Sequence, residues 1–141
     1  PLGKGNIILE ATPEHIENGT SLVVITYGMG VYWAKAAAEK FNGQVEIIDL
    51  RTLYPLDEHL IFVSSKKHGR VLIVTEEQQN NSFTEALSHR IYHHCFQFLD
   101  APIEVFGSLN IPAVPINLSS ESAMLPNVEK VKNRIEQLLR Y

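Results

Sequence analysis

The sequence predicts an α/β fold, a mostly parallel twisted sheet of about five strands with helices on both faces, in a three-layer sandwich. Three observations carry this. Leu22–Tyr27 and Val71–Thr75 are short, nearly unbroken apolar runs, as expected of strands covered on both sides, and Val45–Leu50 carries β-branched Val45, Ile47 and Ile48 suited to a covered strand. The stretches between them carry apolar residues at helical spacing. Each change-over is punctuated by a breaker: Gly28, Asn42-Gly43, Pro55 or Gly69. Strand and helix alternate four times, which calls for right-handed crossovers.

Taken in order, Asn6–Glu10 reads as a short leading strand and Thr12–Thr20 as polar turn sequence, with Pro13 and the pair Asn18-Gly19. Residues 1–20 are accordingly read as a leading arm and 21–141 as the domain proper. Leu22–Tyr27 is a central strand closed by Gly28. Gly30–Phe41 is helical, because Val31, Ala34, Ala38 and Phe41 share one face. Val45–Leu50 is a buried strand whose end places Asp49 and Arg51 on the sheet's rim. Pro55 cannot extend the ladder, and Asp57 is a good N-cap for a helix over Asp57–Lys67. Val71–Thr75 is the next strand, followed by Glu76-Glu77 and the polar loop Gln78–Asn81. Ser82 and Glu85 have capping-box spacing and open a helix whose stripe is Phe83, Leu87, Ile91 and Phe98. Ile103–Phe106 is the last strand and Ser108–Leu125 a loop with Pro112 and Pro115. Asn127–Leu139 is a terminal helix with Val128, Val131, Ile135 and Leu138 on one face.

With 141 residues the chain is one domain by size, and its net charge of −4 argues against a nucleic-acid partner. A lone Cys95 excludes an internal disulfide framework and fits a reducing, cytoplasmic setting. No apolar run approaches membrane-spanning length, and the first residues lack signal-peptide character. The opening Pro1-Leu2-Gly3-Lys4 without Met is expected of a processed chain or a piece of a longer one.

In parallel sheets, ligands and partners gather at the carboxyl ends of strands, which here hold Gly28, Asp49, Glu76 and Gly107. Gly28-Met29-Gly30 imitates a dinucleotide fingerprint, with Asp49 about twenty residues on. Trp33 stands where the third glycine belongs, so a tight strand-to-helix turn is the stronger reading. Asp49, Glu76 and Glu77 resemble an acidic Mg²⁺ cluster, but an ion pair between Arg51 and one of these carboxylates is preferred. His89 and His93 share a helix face opposite the apolar stripe; with His94 and Cys95 they do not converge, so solvated histidines and a buried thiol are expected. No nucleophile elbow and no Walker loop is present. The residues alone thus describe an α/β domain without a reactive centre of its own.

In combination the motifs are more specific. Gly19-Thr20, Val23–Gly28, Ile47-Ile48-Asp49-Leu50-Arg51-Thr52-Leu53 with Pro55-Leu56-Asp57, Gly69–Val74 with Glu76-Glu77, Phe98-Leu99-Asp100-Ala101-Pro102-Ile103 and Leu125-Pro126 occur in one order. The chain resembles the carboxyl-terminal transketolase-like domain of the β part of a 2-oxo acid dehydrogenase decarboxylating component, of 2-oxoisovalerate or pyruvate type.

That resemblance implies a piece of an enzyme, with thiamine diphosphate and Mg²⁺ held by preceding domains and by neither catalytic nor cofactor residues here. The implied work is assembly and docking. Asp49, Arg51, Asp57, Glu76, Glu77 and Phe83 would lie at the subunit interface with a second copy. Asp100 and the final carboxylate on Tyr141 would receive basic groups of the peripheral-subunit-binding domain of a dihydrolipoyl acyltransferase. The chain departs from the family at Asn80–Thr84, where a Gly-Gly-Phe-rich loop is usual, and at Asn110–Pro115, where Asp-x-Pro-x-Pro is usual. Two rivals remain: the equivalent domain of a transketolase or deoxyxylulose-phosphate synthase, and a free-standing flavodoxin-like binding module.

Overall fold

The computed structural model describes residues 1–111 and 117–141. Among them, β1 (Asn6–Leu9), β2 (Leu22–Thr26), β3 (Val45–Asp49), β4 (Val71–Gln78) and β5 (Glu104–Ser108) form one sheet in the order β1-β3-β2-β4-β5. The last four are parallel, and β1 runs antiparallel along the outer edge of β3. The helices are α1 (Pro13–Glu17), α2 (Met29–Ala38), α3 (Glu58–His68), α4 (Phe83–Cys95), α5 (Leu118–Met124) and α6 (Val128–Leu139).

The unbroken apolar runs now have their cause. Successive strand residues point to opposite faces, and both faces are covered. Leu22, Val24, Ile47, Leu72 and Val74 pack with Ala34 and Ala37 of α2 and Val131, Ile135 and Leu138 of α6. Val23, Ile25, Ile48, Val71 and Ile73 pack with Ile61 of α3 and Leu87, Ile91 and Cys95 of α4. The three-layer sandwich is therefore as the sequence predicts.

Helix α2 lies close to the sheet because its inward residues are small. Its nearest approach is Gly30, where an added Cβ would overlap Thr26 Oγ1. Trp33 excludes the third glycine of a nucleotide loop, yet the close helix-to-strand approach exists; Gly30 makes it, three residues earlier. Asp57 caps α3 as expected, accepting from Leu60 N at 3.2 Å, and its second oxygen accepts from Gly5 N at 3.1 Å. One carboxylate thus starts a helix and ties down the leading residues. Ser82 caps α4 through Glu85 N at 3.1 Å, but Glu85 reaches back to Asn81 N, one residue before the usual target.

Several expectations need correction. Thr12–Thr20 contains a short helix, α1, started by Thr12 Oγ1 and Pro13. Strand β4 continues through Glu76 and Glu77 to Gln78 instead of stopping at Thr75. Part of the expected Ser108–Leu125 loop is α5, capped by Asn117; Pro112 and Pro115 lie outside the described residues. Phe98 is not on the α4 stripe. The helix ends at Cys95, a 3-10 turn follows, and Phe98 is exposed with Lys66 Nζ 5.2 Å from its ring centre.

Candidate functional site

Strand alternation assigns the rim acids. Glu76 shares the parity of Leu72 and Val74, so it points to the α2 side, and its Oε1 accepts from Met29 N at 3.1 Å. Glu77 shares the parity of Val71 and Ile73 and points to the α4 side. Its Oε1 accepts from Tyr27 Oη at 3.0 Å and Thr84 N at 3.3 Å. Each carboxylate therefore sits at a helix N-terminus, where the free amides and the helix dipole favour negative charge. Thr75 Oγ1 donates to Tyr27 Oη at 2.9 Å, and Phe83 meets the Tyr27 ring edge-on at 6.5 Å. Burial, with Glu77 and Glu76 nearby, pushes the Tyr27 phenol pKa up.

The expected rim ion pair is absent: among the described residues Arg51 forms no salt bridge. Its amide donates to Asp49 Oδ1 at 3.1 Å across a tight turn in which Arg51 has φ of 60°. Asp49 satisfies the backbone, which leaves the guanidinium exposed. Exposed Leu2, Met29, Tyr54 and Leu109 belong to segments at the same edge of the sheet.

The amino edge of the sheet holds a polar cluster that the sequence reading missed. Glu46 is the charge inside an otherwise apolar strand, which was the available signal. Its side chain is 1 % exposed, 2.7 Å from Lys67 Nζ and 3.3 Å from His68 Nε2. His68 Nδ1 is 2.7 Å from Ser21 Oγ. Burial alone would raise the Glu46 pKa, but the neighbouring His68, Lys67 and Ser64 side chains reverse this and hold the carboxyl at about 2. Ser21, Glu46 and His68 form a Ser-His-Glu chain in order only; all are buried, so no substrate reaches the hydroxyl.

Asp100 lies on this same edge. Its amide donates to Gly69 O at 2.8 Å, which fixes the turn before β5. The carboxylate is 59 % exposed and 3.9 Å from Arg70 Nη1, beyond hydrogen-bond reach. Arg70 Nη1 is instead occupied by Gly19 O at 2.7 Å. Asp100 and Tyr141, distant in sequence, border one open groove of about 380 Å³ with Tyr92, Phe96, Leu99 and Pro102. Tyr92 and Phe96 were not singled out from the sequence, since neither lies on the apolar stripe of α4.

The remaining candidates stay apart. His89, His93 and His94 are exposed, His94 stacks on Phe62 at 4.4 Å, and Cys95 is buried with its thiol pKa pushed up by burial. Among the described residues no group of His, Cys, Asp or Glu converges as a metal site. Glu76 and Glu77 already serve protein donors. Among the described residues, these two carboxylates are therefore not available to a Mg²⁺–diphosphate group. No described helix is long and apolar enough to cross a membrane.

The fold is thus a parallel-sheet sandwich whose rim acids sit at the N-termini of its own helices, with an open groove bordered by Asp100 on the opposite edge. Residues 12–131 match the family described as "Transketolase, C-terminal domain", and the chain belongs to that family. It is 34% identical over its whole length to the 2-oxoisovalerate dehydrogenase subunit beta of Bacillus subtilis, covering 42% of that protein. It is 32% identical over 96% of its length to the pyruvate dehydrogenase E1 component subunit beta of Rhizobium meliloti, covering 28% of it. The chain thus spans less than half the length of these relatives. Among solved structures, a split-gene transketolase, described as an inactive beta4 tetramer, superposes with a TM-score of 0.73 at 15% identity over 99% of this chain and 43% of that one; this likeness concerns the fold.

Proposed function

We propose that the chain is the carboxyl-terminal assembly and docking domain of a thiamine-diphosphate-dependent 2-oxo acid dehydrogenase, acting on a branched-chain 2-oxo acid or pyruvate. The relatives' names support the enzyme class. The docking reading is carried by one observation: Asp100 and Tyr141 border the same groove. The partner is the peripheral-subunit-binding domain of a dihydrolipoyl acyltransferase, whose basic groups meet the Asp100 carboxylate. At this exposure the contact orients and steers as much as it tightens.

The carboxyl rim is assigned to packing within the parent. Asp49, Arg51, Glu76, Glu77 and Phe83, with the exposed Leu2, Met29 and Tyr54 nearby, form a mixed polar and apolar edge suited to a subunit interface. Asp57 supports that edge from inside, because both its oxygens serve chain amides. Thiamine diphosphate and Mg²⁺ belong to other domains of the parent, and the 141 residues turn over no 2-oxo acid alone.

Calorimetry with an isolated peripheral-subunit-binding domain tests the docking. Asp100→Asn keeps the side-chain shape and should weaken binding about tenfold, the scale of a lost charge-assisted bond. No binding by the unaltered chain removes the docking claim and favours a transketolase-type parent. Thiamine diphosphate with Mg²⁺ should leave the melting temperature unchanged; a clear rise would relocate the cofactor to this domain.

A further inference from the structure

We infer that Lys130 is a charge latch: its ammonium holds α5 against the start of α6, and α5 opens as a unit of its own when that charge is removed. Lys130 Nζ donates to three backbone carbonyls at the end of α5, Ser122 O at 3.0 Å, Ala123 O at 3.4 Å and Leu125 O at 2.8 Å. The two other carbonyls of that end are already taken, Glu121 O by Leu125 N at 2.9 Å and Met124 O by Leu109 N at 3.1 Å. A helix C-terminus leaves its last carbonyls without partners of their own, and its dipole favours a cation there. The last turn of α5 contains no basic residue, so the cation comes from α6.

The position of Lys130 makes sense only for α5. It lies in the first turn of α6, where its amide donates to the Asn127 cap at 2.9 Å. A cation there faces the positive end of the α6 dipole, the wrong charge for that helix. Among the described residues Lys130 forms no salt bridge. Its root is firm, because Val131, Ile135 and Leu138 of α6 are buried in the core. Helix α5, by contrast, buries only Met124, and Leu118 at its far end is 82% exposed. A segment with one buried side chain and one concentrated electrostatic tie opens at lower free energy than the whole domain unfolds. Leu109 follows β5, so α5 lies at the carboxyl edge of the sheet. The latch therefore decides whether that part of the edge is presented in order.

Amide hydrogen exchange tests this, read by NMR at Glu121 and Leu125, whose amides make the helical bonds of α5, and at Val131 and Val74 as reporters of α6 and the sheet. Lys130→Met keeps an aliphatic stem and removes the charge. It should speed exchange in α5 about tenfold, the scale of a lost charge-assisted hydrogen bond, and leave α6 and β4 unchanged. Lys130→Cys should behave alike, and it allows chemical rescue. With 2-bromoethylamine the introduced thiolate displaces bromide, forming a C–S bond and restoring an ammonium at nearly the reach of lysine; with iodoacetamide it displaces iodide and leaves a neutral amide. Cys95 is fully buried and should stay unmodified, as mass spectrometry would verify. The ammonium adduct should restore slow exchange and the neutral adduct should not. Unchanged exchange in Lys130→Met overturns the latch. Equal acceleration in α5, α6 and β4 overturns it too, because α5 would then open only with the whole domain. Equal rescue by both adducts shows that reach and not charge holds the helix, and overturns the charge latch.

Discussion

Glu46→Gln isolates the buried charge at the amino edge. The substitution keeps side-chain shape and removes the negative charge that Lys67 and His68 face at 2.7 and 3.3 Å. Its cost follows from proton linkage. The carboxyl pKa falls from 4.5 to about 2 on folding, and each unit is worth about 1.4 kcal/mol, so the charge contributes about 3 kcal/mol at neutral pH. The folded pKa is the depressed one, so this stability is present above pH 4.5 and is lost as pH falls through about 2. Protonated Glu46 is nearly isosteric with Gln, so the two proteins should converge in acid. Urea unfolding at pH 7 should show the variant about 3 kcal/mol less stable, and at pH 3 the gap should shrink to roughly half. Lys67 is 34% exposed and can turn to solvent; His68, which is fully buried, cannot, and is left facing the amide. A gap below about 1 kcal/mol at pH 7, or an equal gap at both pH values, would refute the reasoning.

Two further substitutions probe the scaffold. Gly30→Ala should destabilise by about 2 kcal/mol despite alanine's better helix propensity, because Thr26, hydrogen-bonded to Val74 O at 2.9 Å, cannot retreat from the new methyl; a neutral or stabilised variant in denaturant unfolding would show that α2 shifts freely. Tyr27 should titrate above the ordinary phenol value by ultraviolet absorbance, since burial and the Glu77 carboxylate oppose ionisation. Tyr27→Phe should remove that late step and cost about 1 kcal/mol. A single shared titration would mean that the Tyr27–Glu77 contact is not maintained in solution.

The strands and major helices were legible because their signals are local. Unbroken β-branched runs, the stripe through Val131, Ile135 and Leu138, and the caps Asp57 and Ser82 each announce themselves within a few residues. The misses are where a tertiary neighbour decides. Glu76 and Glu77 read as the polar end of the strand, yet β4 runs through them to Gln78, with helix N-termini on either face receiving their carboxylates. Arg51 read as an ion-pair partner, yet Asp49 satisfies a backbone amide first. Phe98 fits the α4 stripe by spacing, but the helix ends at Cys95 and the ring turns outward beneath Lys66. The Asp100–Tyr141 pairing entered through family resemblance alone, since no local pattern places residues so far apart in one groove. Phe96 escaped because an exposed ring carries no periodic signal.

On the proposed reading, the two edges of the sheet divide the work. In open parallel sheets the carboxyl edge is where ligands collect, but here Glu76 and Glu77 close it onto α2 and α4. Under the same proposal, what remains there packs against the rest of the parent. The groove lies at the amino edge, where the turns before β4 and β5 meet at Gly69 and Asp100. Gly69 has φ of 70° and ends α3, and any Cβ on it would overlap the Asp100 carboxylate. One glycine therefore terminates a helix, accepts the Asp100 amide and leaves room for the acid to face outward. Beneath it Arg70, Glu46 and His68 are buried, with Arg70 bonded to Gly19 O, Glu46 to Lys67 and His68 to Ser21, so the turn carrying Asp100 rests on a buried polar base. Stability and the proposed docking should therefore be separable: loss of the Glu46 charge weakens the base without touching the groove's lining, whereas Asp100→Asn alters the groove and leaves the base intact.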